Sequence, residues 1–417
     1  ANVAVGKDAL QANTTSSNNA AVGYQCLYAN TTGTKNAAMG AYALDSNTTG
    51  SYNTALGYEA LGANTTASNH TAIGYQALAG NTTGNQNTAV GMYAADTNTT
   101  GSYLTAIGYR CLDANTTGDS NTAVGNRCLE ANTTGSDNIT MGTSAMAANT
   151  TGTRNSAFGR RALAGNTTNS YNCAFGYKSL EDNTADNNTA FGYETLKENT
   201  TGTANVAVGS YALDANTTAS YNTAVGDNAL TANTTGDQNT AVGQQALDAN
   251  TTGGSNVAVG NDALSANTTG SWQVAIGREA LENSVQGNGS VAIGYRALHV
   301  STEANYQVAI GFEAMATATD GATANSMIGY RSGHNMTTGD DNTALGYAAL
   351  YSITESSRNV AVGRDSLYAV TDAGHDNVAV GYHALLSNTG GDSNVAIGNY
   401  ALDANTTATG NTAVGYA

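Results

Sequence analysis

The sequence predicts an all-β fold, a parallel β-solenoid, and three observations support this prediction. A glycine returns every 17 residues, 25 times from Gly6 to Gly415, and the three exceptional intervals each differ by one residue. A short run with strand character, N-T-A-V, precedes the glycine, and a turn-forming run, A-N-T-T-G, follows it. A fixed, short period indicates one structural unit stacked on copies of itself.

The strand half of the repeat is its most regular part. Counted from the repeat glycine, position −1 is apolar in all 25 copies, position −2 is Ala in 23, and position −4 is Asn in 20. Alternating β-branched residues favour an extended strand, whose side chains point to opposite faces. We assign the residue at −1 and the Leu at +4 to the coil interior. The Ala at −2 then faces a surface that tolerates only small groups, such as another backbone.

The rest of the repeat predicts corners and turns. The recurring glycine suits a corner where φ is positive or where two backbones approach closely. We interpret Y-x-A-L as a second short extended piece and A-N-T-T-G as a turn. Helices are disfavoured, because the unit leaves room for at most about two helical turns between glycines. The Asn at −4 is expected to hydrogen-bond from coil to coil, as amides do in stacked β structures.

Composition excludes several classes of partner. The formal net charge is −17 with a pI near 4.4, which argues against nucleic acid because phosphate binding needs a basic face. No polybasic run or long apolar stretch is present, so we expect no membrane insertion within this segment. We identify no catalytic constellation, predict that the chain is not an enzyme, and expect no cofactor.

The four cysteines are not spaced as a disulfide scaffold. Cys26, Cys111 and Cys128 share position +3, where Ala is usual, so we expect small buried thiols. Four of the five histidines fall late, at His299, His334, His375 and His383. A metal site on a three-fold axis is the alternative for these histidines, but no short His-x-His spacing supports it.

Three repeated features are candidates for outer surfaces. Asn-Thr-Thr occurs 16 times and is interpreted as a solvent-facing turn, with glycosylation or an ordered-water threonine ladder as alternatives. Tyrosines that follow the glycine suit corner packing or contact with sugar or protein. Acidic residues that follow the Leu suit a solvated face, with Ca²⁺ as the alternative. The tyrosines include Tyr24, Tyr58, Tyr75, Tyr109 and Tyr177, and the acids are Asp45, Asp113, Glu130, Asp214, Asp248 and Asp403.

The motifs N-T-A-V-G and N-V-A-V-G, followed by x-x-A-L, resemble the head repeats of trimeric autotransporter adhesins of the YadA type and related bacteriophage tail-fibre repeats. Residues 290–294 (SVAIG) and 308–311 (VAIG) match the family motif most closely. The resemblance covers the whole chain and implies a homotrimer of left-handed parallel β-rolls with an extracellular attachment role. The unit is longer here, because A-N-T-T-G is added on the outer side.

The chain is predicted to be one continuous repeat array, residues 1–417, and a segment of a longer fibre. Residues 1–281 form regular coils, 282–390 have divergent outer loops, and 391–417 are regular again. Divergence confined to one face suggests either a binding surface on an unchanged scaffold or neutral drift.

We therefore predict a non-enzymatic structural fibre, the shaft or head of a homotrimeric attachment protein. It would be a phage tail fibre or a bacterial surface adhesin, located outside the cell, that binds a host receptor or glycan. The thin core of one coil also favours a trimer, because small cores need oligomerisation. The alternatives are an ice-binding or other surface-ordering β-solenoid, and a polysaccharide-active solenoid with a carboxylate cluster on one face.

Overall fold

The protein is an all-β parallel β-solenoid of about 25 turns with a repeat of about 17 residues, as predicted, and it contains no helix. The structure, a computed structural model, describes residues 1–417. The chain divides into two compact units, Ala1–Ala204 and Asn205–Ala417. Each unit is a stack of coils, and each coil contributes one strand of three residues.

Within each unit, every strand pairs in parallel with the strand of the next coil, and equivalent repeat positions lie opposite one another. Val206, Ala207 and Val208, for example, pair with Thr223, Ala224 and Val225. The strands of the first unit are β1 (Val3–Val5), β2 (Ala20–Val22), β3 (Ala37–Met39), β4 (Thr54–Leu56), β5 (Thr71–Ile73), β6 (Thr88–Val90), β7 (Thr105–Ile107), β8 (Thr122–Val124), β9 (Ile139–Met141), β10 (Ser156–Phe158), β11 (Cys173–Phe175) and β12 (Thr189–Phe191). Those of the second are β13 (Val206–Val208), β14 (Thr223–Val225), β15 (Thr240–Val242), β16 (Val257–Val259), β17 (Val274–Ile276), β18 (Val291–Ile293), β19 (Val308–Ile310), β20 (Ser326–Ile328), β21 (Thr343–Leu345), β22 (Val360–Val362), β23 (Val378–Val380), β24 (Val395–Ile397) and β25 (Thr412–Val414).

The coil interior is built from the Ala at −2 and the Leu at +4. In β4, Ala55 is 1% exposed, whereas Leu56 beside it is 43% exposed. Leu61, at +4 of the same coil, is fully buried. The prediction for Leu is confirmed, but the predicted strand orientation is wrong. A coil of 17 residues is narrow, so a methyl group opposite each Leu fills it, and the larger residue at −1 is turned outward.

The segment after the glycine is not a second extended piece, so that prediction is also wrong. Its backbone alternates in handedness, because φ is 50° at both Gln25 (+2) and Leu27 (+4). The amide of Gln25 donates to the carbonyl of Lys7 in the preceding coil (3.0 Å), and that of Leu27 donates to Ala43 in the next coil (3.1 Å). These turns therefore hydrogen-bond along the stack much as the strands do.

The repeat glycine combines both predicted properties. At Gly91 φ is +138°, a conformation that L side chains rarely adopt. At Gly260, where φ is +141°, an added Cβ would lie 2.6 Å from the backbone of Gly277 in the next coil. Glycine is required here for both dihedral freedom and close backbone approach, which confirms the corner assignment.

Two buried asparagine ladders run along the stack. At position −4, the backbone N–H of Asn53 donates to the side-chain Oδ1 of Asn36 (3.0 Å). At position +7, Nδ2 of Asn47 donates to Oδ1 of Asn30 (2.8 Å) and to the carbonyl of Gly50 (3.0 Å). The ladder at −4 was predicted. The ladder at +7 was not, because the Asn of Asn-Thr-Thr was assigned to a solvent-facing turn.

The divergent coils of residues 282–390 differ inside the solenoid as well as outside it. Position +7 changes from Asn to small or apolar residues that remain buried there. The prediction that variation is confined to the outer face is therefore wrong, because the buried asparagine ladder at +7 is replaced by serine in two coils and by apolar residues in four. The replacing residues are Ser284, Ser301, Ala318, Met336, Ile353 and Val370.

All four cysteines are free, and the three at position +3 are buried, as predicted. Burial raises the pKa of the Cys26 thiol to about 11 and that of Cys128 to about 12. Sγ of Cys128 lies 3.0 Å from Oγ1 of Thr140 inside the coil. These thiols act as small packing groups.

Candidate interaction surfaces

The outward positions of the coil form four repeated surfaces. The two outward residues of each strand are those at −1 and −3. The apolar stripe consists of position −1, which is apolar in every coil, and of the flanking position −3, which is Thr or Ser in about half of the coils. The tyrosine wall consists of the aromatic residues at +1 and +2, and the acidic file of the carboxylates at +2 and +5. The threonine file is the second Thr of each Asn-Thr-Thr turn. Because the coils stack in register within each unit, equivalent positions line up along each surface, although the acids, the tyrosines and the Asn-Thr-Thr turn occur only in some of the coils.

The apolar stripe exposes large hydrophobic side chains on consecutive coils. Met39 is 53% exposed, Ile107 is 39% exposed, and Leu345 in the second unit is 51% exposed. Aromatic rings at −1 stack on one another, with 4.4 Å between the centroids of Phe158 and Phe175. Contiguous exposed apolar surface is unusual on a monomer and marks an interaction site.

The threonine file is one residue wide. The first Thr of each turn turns back to the stack, since Oγ1 of Thr48 donates to the carbonyl of Thr65 (3.0 Å). The second Thr is exposed, as at Thr66, Thr83 and Thr100. The Asn of the same motif is buried with its Nδ2 engaged in hydrogen bonds, so a glycan on that nitrogen would disrupt the folded ladder.

The tyrosines pack against each other rather than only over Gly and Leu. The rings of Tyr58 and Tyr75 stack with centroids 5.3 Å apart, and Tyr75 meets Tyr93 edge-on at 5.4 Å. Tyr42 meets Tyr58 edge-on at 5.9 Å. The tyrosine wall is therefore continuous over the four coils from Tyr42 to Tyr93, with Tyr58 and Tyr75 more than a third exposed.

The acidic file is partly neutralised by arginines. Arg110 lies 2.8 Å from Asp113 and 3.3 Å from Glu130, and Arg127 lies 2.6 Å from Glu130. Two of the predicted acids, Asp113 and Glu130, thus belong to an ion-pair network at the surface. Exposed pairs of this kind contribute at most about 1 kcal/mol each.

A different environment surrounds Asp45 and Asp96. Tyr42, Asp45, Glu59, Gly62 and Ala79 line a groove with a volume of about 290 Å³. A second groove of about 300 Å³ is lined by Tyr93, Asp96, Tyr109, Arg110 and Asp113. Position +5 in the four successive coils is Asp45, Gly62, Ala79 and Asp96, so two small residues separate two carboxylates. We call the surface formed by these four residues, Glu59 and the adjoining tyrosine wall the acidic trough.

The carboxylates of the acidic trough carry excess negative charge. Burial, together with the smaller contributions of the charges on Asp113 and Glu59, raises the pKa of Asp96 to about 6. Burial is also the main cause that raises the pKa of Asp45, with a contribution from Glu59. Glu59 accepts a hydrogen bond from Nε2 of Gln76 (2.6 Å). No Lys or Arg occurs between residues 36 and 109.

Three of the late histidines lie beside acids on the same face as the acidic file. His299 lies 3.1 Å from Glu282, and His383 lies 3.3 Å from Asp365. His334 lies 3.6 Å from Glu313. Position +2 or +5 places these histidines away from the apolar stripe.

Glu279, Glu282 and His299 offer ligand atoms within 4.8 Å of one another, which is close enough for a metal ion. Glu279, however, is already engaged by two guanidinium groups, from Arg278 at 2.7 Å and Arg296 at 2.5 Å. This cluster is better described as an ion-pair network.

Sequence reasoning named the tyrosines and Asp45 but did not find the acidic trough. The trough can be found by comparing position +5 in successive coils. There, the small residues Gly62 and Ala79 stand between Asp45 and Asp96. No family model matches the chain, and no curated protein is significantly similar to it. No helix is long and apolar enough to cross a bilayer.

Proposed function

We propose that this chain is a non-enzymatic structural segment of a homotrimeric attachment fibre, extracellular and either a phage tail fibre or a bacterial surface adhesin. The apolar stripe is the observation that carries this proposal. The Ala at −2 lies inside the coil, so the outward residue at −1 is the one available for contact between chains. Parallel copies of the chain would bury their stripes against one another, and the remaining surfaces would face solvent and the receptor.

The period of the stripe favours copies of the same chain as its occupants. An apolar side chain recurs once per coil, at the strand spacing of about 4.8 Å. A second copy aligned in parallel repeats with the same spacing, so every apolar residue meets an equivalent residue. Each stripe is only two outward residues wide, which suits convergence of a few chains on an axis. The resemblance to YadA-type heads indicates three chains.

The two buried ladders support the mechanical part of the proposal. Neighbouring coils within a unit are joined by backbone hydrogen bonds at the strand and at the turns, and most of them also by the side chains of one or two asparagines. Such a stack resists bending and needs no ligand to hold its shape. We propose that it acts as a stiff spacer that presents outer surfaces to a host receptor or glycan.

Charges on the stripe test the assembly. Ile73→Asp, Val90→Asp and Ile107→Asp together place three carboxylates on the stripe of β5, β6 and β7. Thr66→Asp, Thr83→Asp and Thr100→Asp add the same number of charges to the threonine file nearby. Sedimentation velocity is expected to show a trimer of about 126 kDa, three times 42.0 kDa, for the threonine variant and dissociation for the stripe variant. A monomeric wild-type chain would refute the proposal.

The threonine file carries the second candidate, an ice-binding or surface-ordering solenoid. It presents one exposed hydroxyl per coil at regular spacing. The hydroxyl of the first Thr donates a hydrogen bond to a carbonyl of the next coil, so the surface does not carry a second parallel row of free hydroxyls. Thermal hysteresis of the purified chain, abolished by the triple threonine variant, would favour this candidate over the fibre.

A further inference from the structure

We propose that the acidic trough binds a linear saccharide that carries free amino groups. This inference rests on the proposed attachment function and names the class of ligand that one outer surface takes. The trough provides aromatic rings, carboxylates and a floor of small residues, and each part corresponds to a feature of such a ligand.

The walls and floor of the trough are set by four coils. Gly62 and Ala79 form a low floor at position +5, because neither has a side chain beyond a methyl group. The tyrosine wall from Tyr42 to Tyr93 runs along one side, with centroid spacings of 5.3–5.9 Å. Because Tyr58 and Tyr75 stack on one another, they present ring edges and hydroxyl tips along the trough, a mixed apolar and polar surface that suits the rings and hydroxyls of a saccharide.

The charge of the trough selects a cationic ligand. Asp45, Glu59 and Asp96 are the three acids between residues 36 and 109, and all three belong to the trough. The one cation that lines these grooves, Arg110, is already paired with Asp113 and Glu130, so the trough keeps an excess of negative charge. The raised pKa values of Asp45 and Asp96 reflect burial first and then repulsion from Glu59, joined at Asp96 by repulsion from Asp113. An ammonium group relieves that repulsion by placing a positive charge beside the carboxylates.

The dimensions favour a short chain of sugars over a single ion. Asp45 and Asp96 are three coils apart, about 14 Å at the strand spacing, with Glu59 between them. A calcium ion needs six to eight oxygens around one point, whereas these carboxylates are spread along the trough. Amino groups spaced along the saccharide would instead meet the carboxylates that are spaced along the trough.

The experiment compares two oligosaccharides that have the same sugar backbone and differ only in whether their amino groups are acetylated. Isothermal titration calorimetry is carried out on the full-length chain with a β-1,4-linked glucosamine trimer and with its fully N-acetylated counterpart. We expect the free-amine trimer to bind at least about tenfold more tightly, because acetylation removes the charge and leaves the ring stacking. Equal affinity for the two trimers would overturn the cationic assignment, and so would the absence of binding.

Three variants locate the site. Asp45→Asn combined with Asp96→Asn removes both end charges and keeps the side-chain shapes, so affinity is expected to fall at least about tenfold. Ala79→Gln fills the floor with the residue that the first coil carries at this position, Gln11, and should abolish binding. Asp248→Asn is the matched control, because Asp248 also occupies +5 but has Gln245 at +2 instead of a tyrosine. Equal loss with Asp248→Asn would indicate non-specific attraction to acids and would overturn the assignment.

The outcomes separate this inference from the proposed function. A trimer that does not bind the glucosamine trimer contradicts the trough assignment alone, whereas a monomer that binds it contradicts the fibre alone. Release of shorter sugars during the titration would contradict the non-enzymatic proposal. A trilysine peptide that binds as tightly, with the same dependence on Asp45 and Asp96, would replace the saccharide by a basic peptide.

Discussion

Buried asparagines hold neighbouring coils together at the residue scale. Each ladder amide both donates and accepts, since Nδ2 of Asn47 donates to Asn30 and its Oδ1 accepts from Nδ2 of Asn64 (2.9 Å). A fully satisfied ladder costs little to bury, whereas a ladder with one missing member leaves a buried donor and a buried acceptor without partners.

Asn47→Ala tests the ladder at +7. We expect a loss of about 2–3 kcal/mol in the free energy of local opening, because Asn30 and Asn64 each lose a buried partner. Hydrogen exchange of the amides in coils 2–4, followed by mass spectrometry, measures this loss. Thr49→Ala, in the exposed file of the same turn, should change protection by less than about 0.5 kcal/mol. Equal effects of the two substitutions would contradict the role of the ladder.

His70 replaces Asn in the ladder at −4 and makes the stack sensitive to pH. Burial lowers the pKa of its imidazole to about 4, and its Nδ1 accepts the amide hydrogen of Asn87 (3.2 Å). Because His70 binds a proton more readily in the unfolded chain than in the folded one, the stabilisation of the fold by neutral His70 is complete above about pH 6.5. It is lost as the pH falls towards 4.

Exchange at the Asn87 amide measures this effect. We expect protection to fall between pH 6.5 and 4 by on the order of 3 kcal/mol in the wild-type chain, after correction for intrinsic exchange. In His70→Asn the ladder amide is restored and that fall should disappear. Asp96, whose pKa is raised to about 6, contributes the opposite slope in both proteins, so the difference between them isolates His70. An unchanged slope in His70→Asn would exclude the histidine as its origin.

At the scale of the coil, the glycine corner fixes the path of the chain. Gly91 has φ of +138° and lies against the backbone of Gly108 in the next coil. Gly62 is not in the left-handed region, and a Cβ added there would make only ordinary van der Waals contacts, the nearest at 3.4 Å. The two glycines therefore differ in what they tolerate, although both belong to the same stack.

Alanine substitutions separate these two kinds of glycine. Gly91→Ala is expected to lower the thermal midpoint clearly and to cost more than about 2 kcal/mol, because both the dihedral and the close approach oppose a Cβ. Gly62→Ala should be neutral or slightly stabilising, because it restricts the unfolded chain. Thermal unfolding followed by circular dichroism at the β-sheet band compares them, and similar losses would contradict the corner assignment.

The period, the strand, the corner and the interior Leu were predictable from the sequence because each depends on local residue chemistry. Which strand residues face the coil interior was not predictable, because an alternation of Val and Ala fits either face turned inward. Coil width decides between them, and it depends on the tight alternating turns at residues such as Gln25 and Leu27. Sequence reasoning did not foresee these turns because Leu rarely adopts positive φ.

At the scale of the whole molecule, the solenoid distributes different tasks to different faces. The apolar stripe is proposed for assembly, the asparagine ladders for stiffness, and the acidic trough for a ligand. The acids Asp45 and Asp113 were both named from the sequence as one repeated file. Only their neighbours in adjacent coils distinguish them, since Asp113 pairs with Arg110 at 2.8 Å whereas Asp45 faces Glu59 across the groove.

The most direct test of the proposed assembly is the distance between equivalent positions of neighbouring chains. Spin labels are attached to Ile107→Cys on the stripe and, separately, to Thr100→Cys on the threonine file, in a Cys173→Ala background. The remaining thiols are buried with raised pKa values and should stay unlabelled. Pulsed electron paramagnetic resonance measures the distances between the labels. We predict a short inter-chain distance with a three-spin signal for the stripe label, and a longer distance for the threonine label. A shorter distance from the threonine label, or no inter-chain distance from either, would contradict the account.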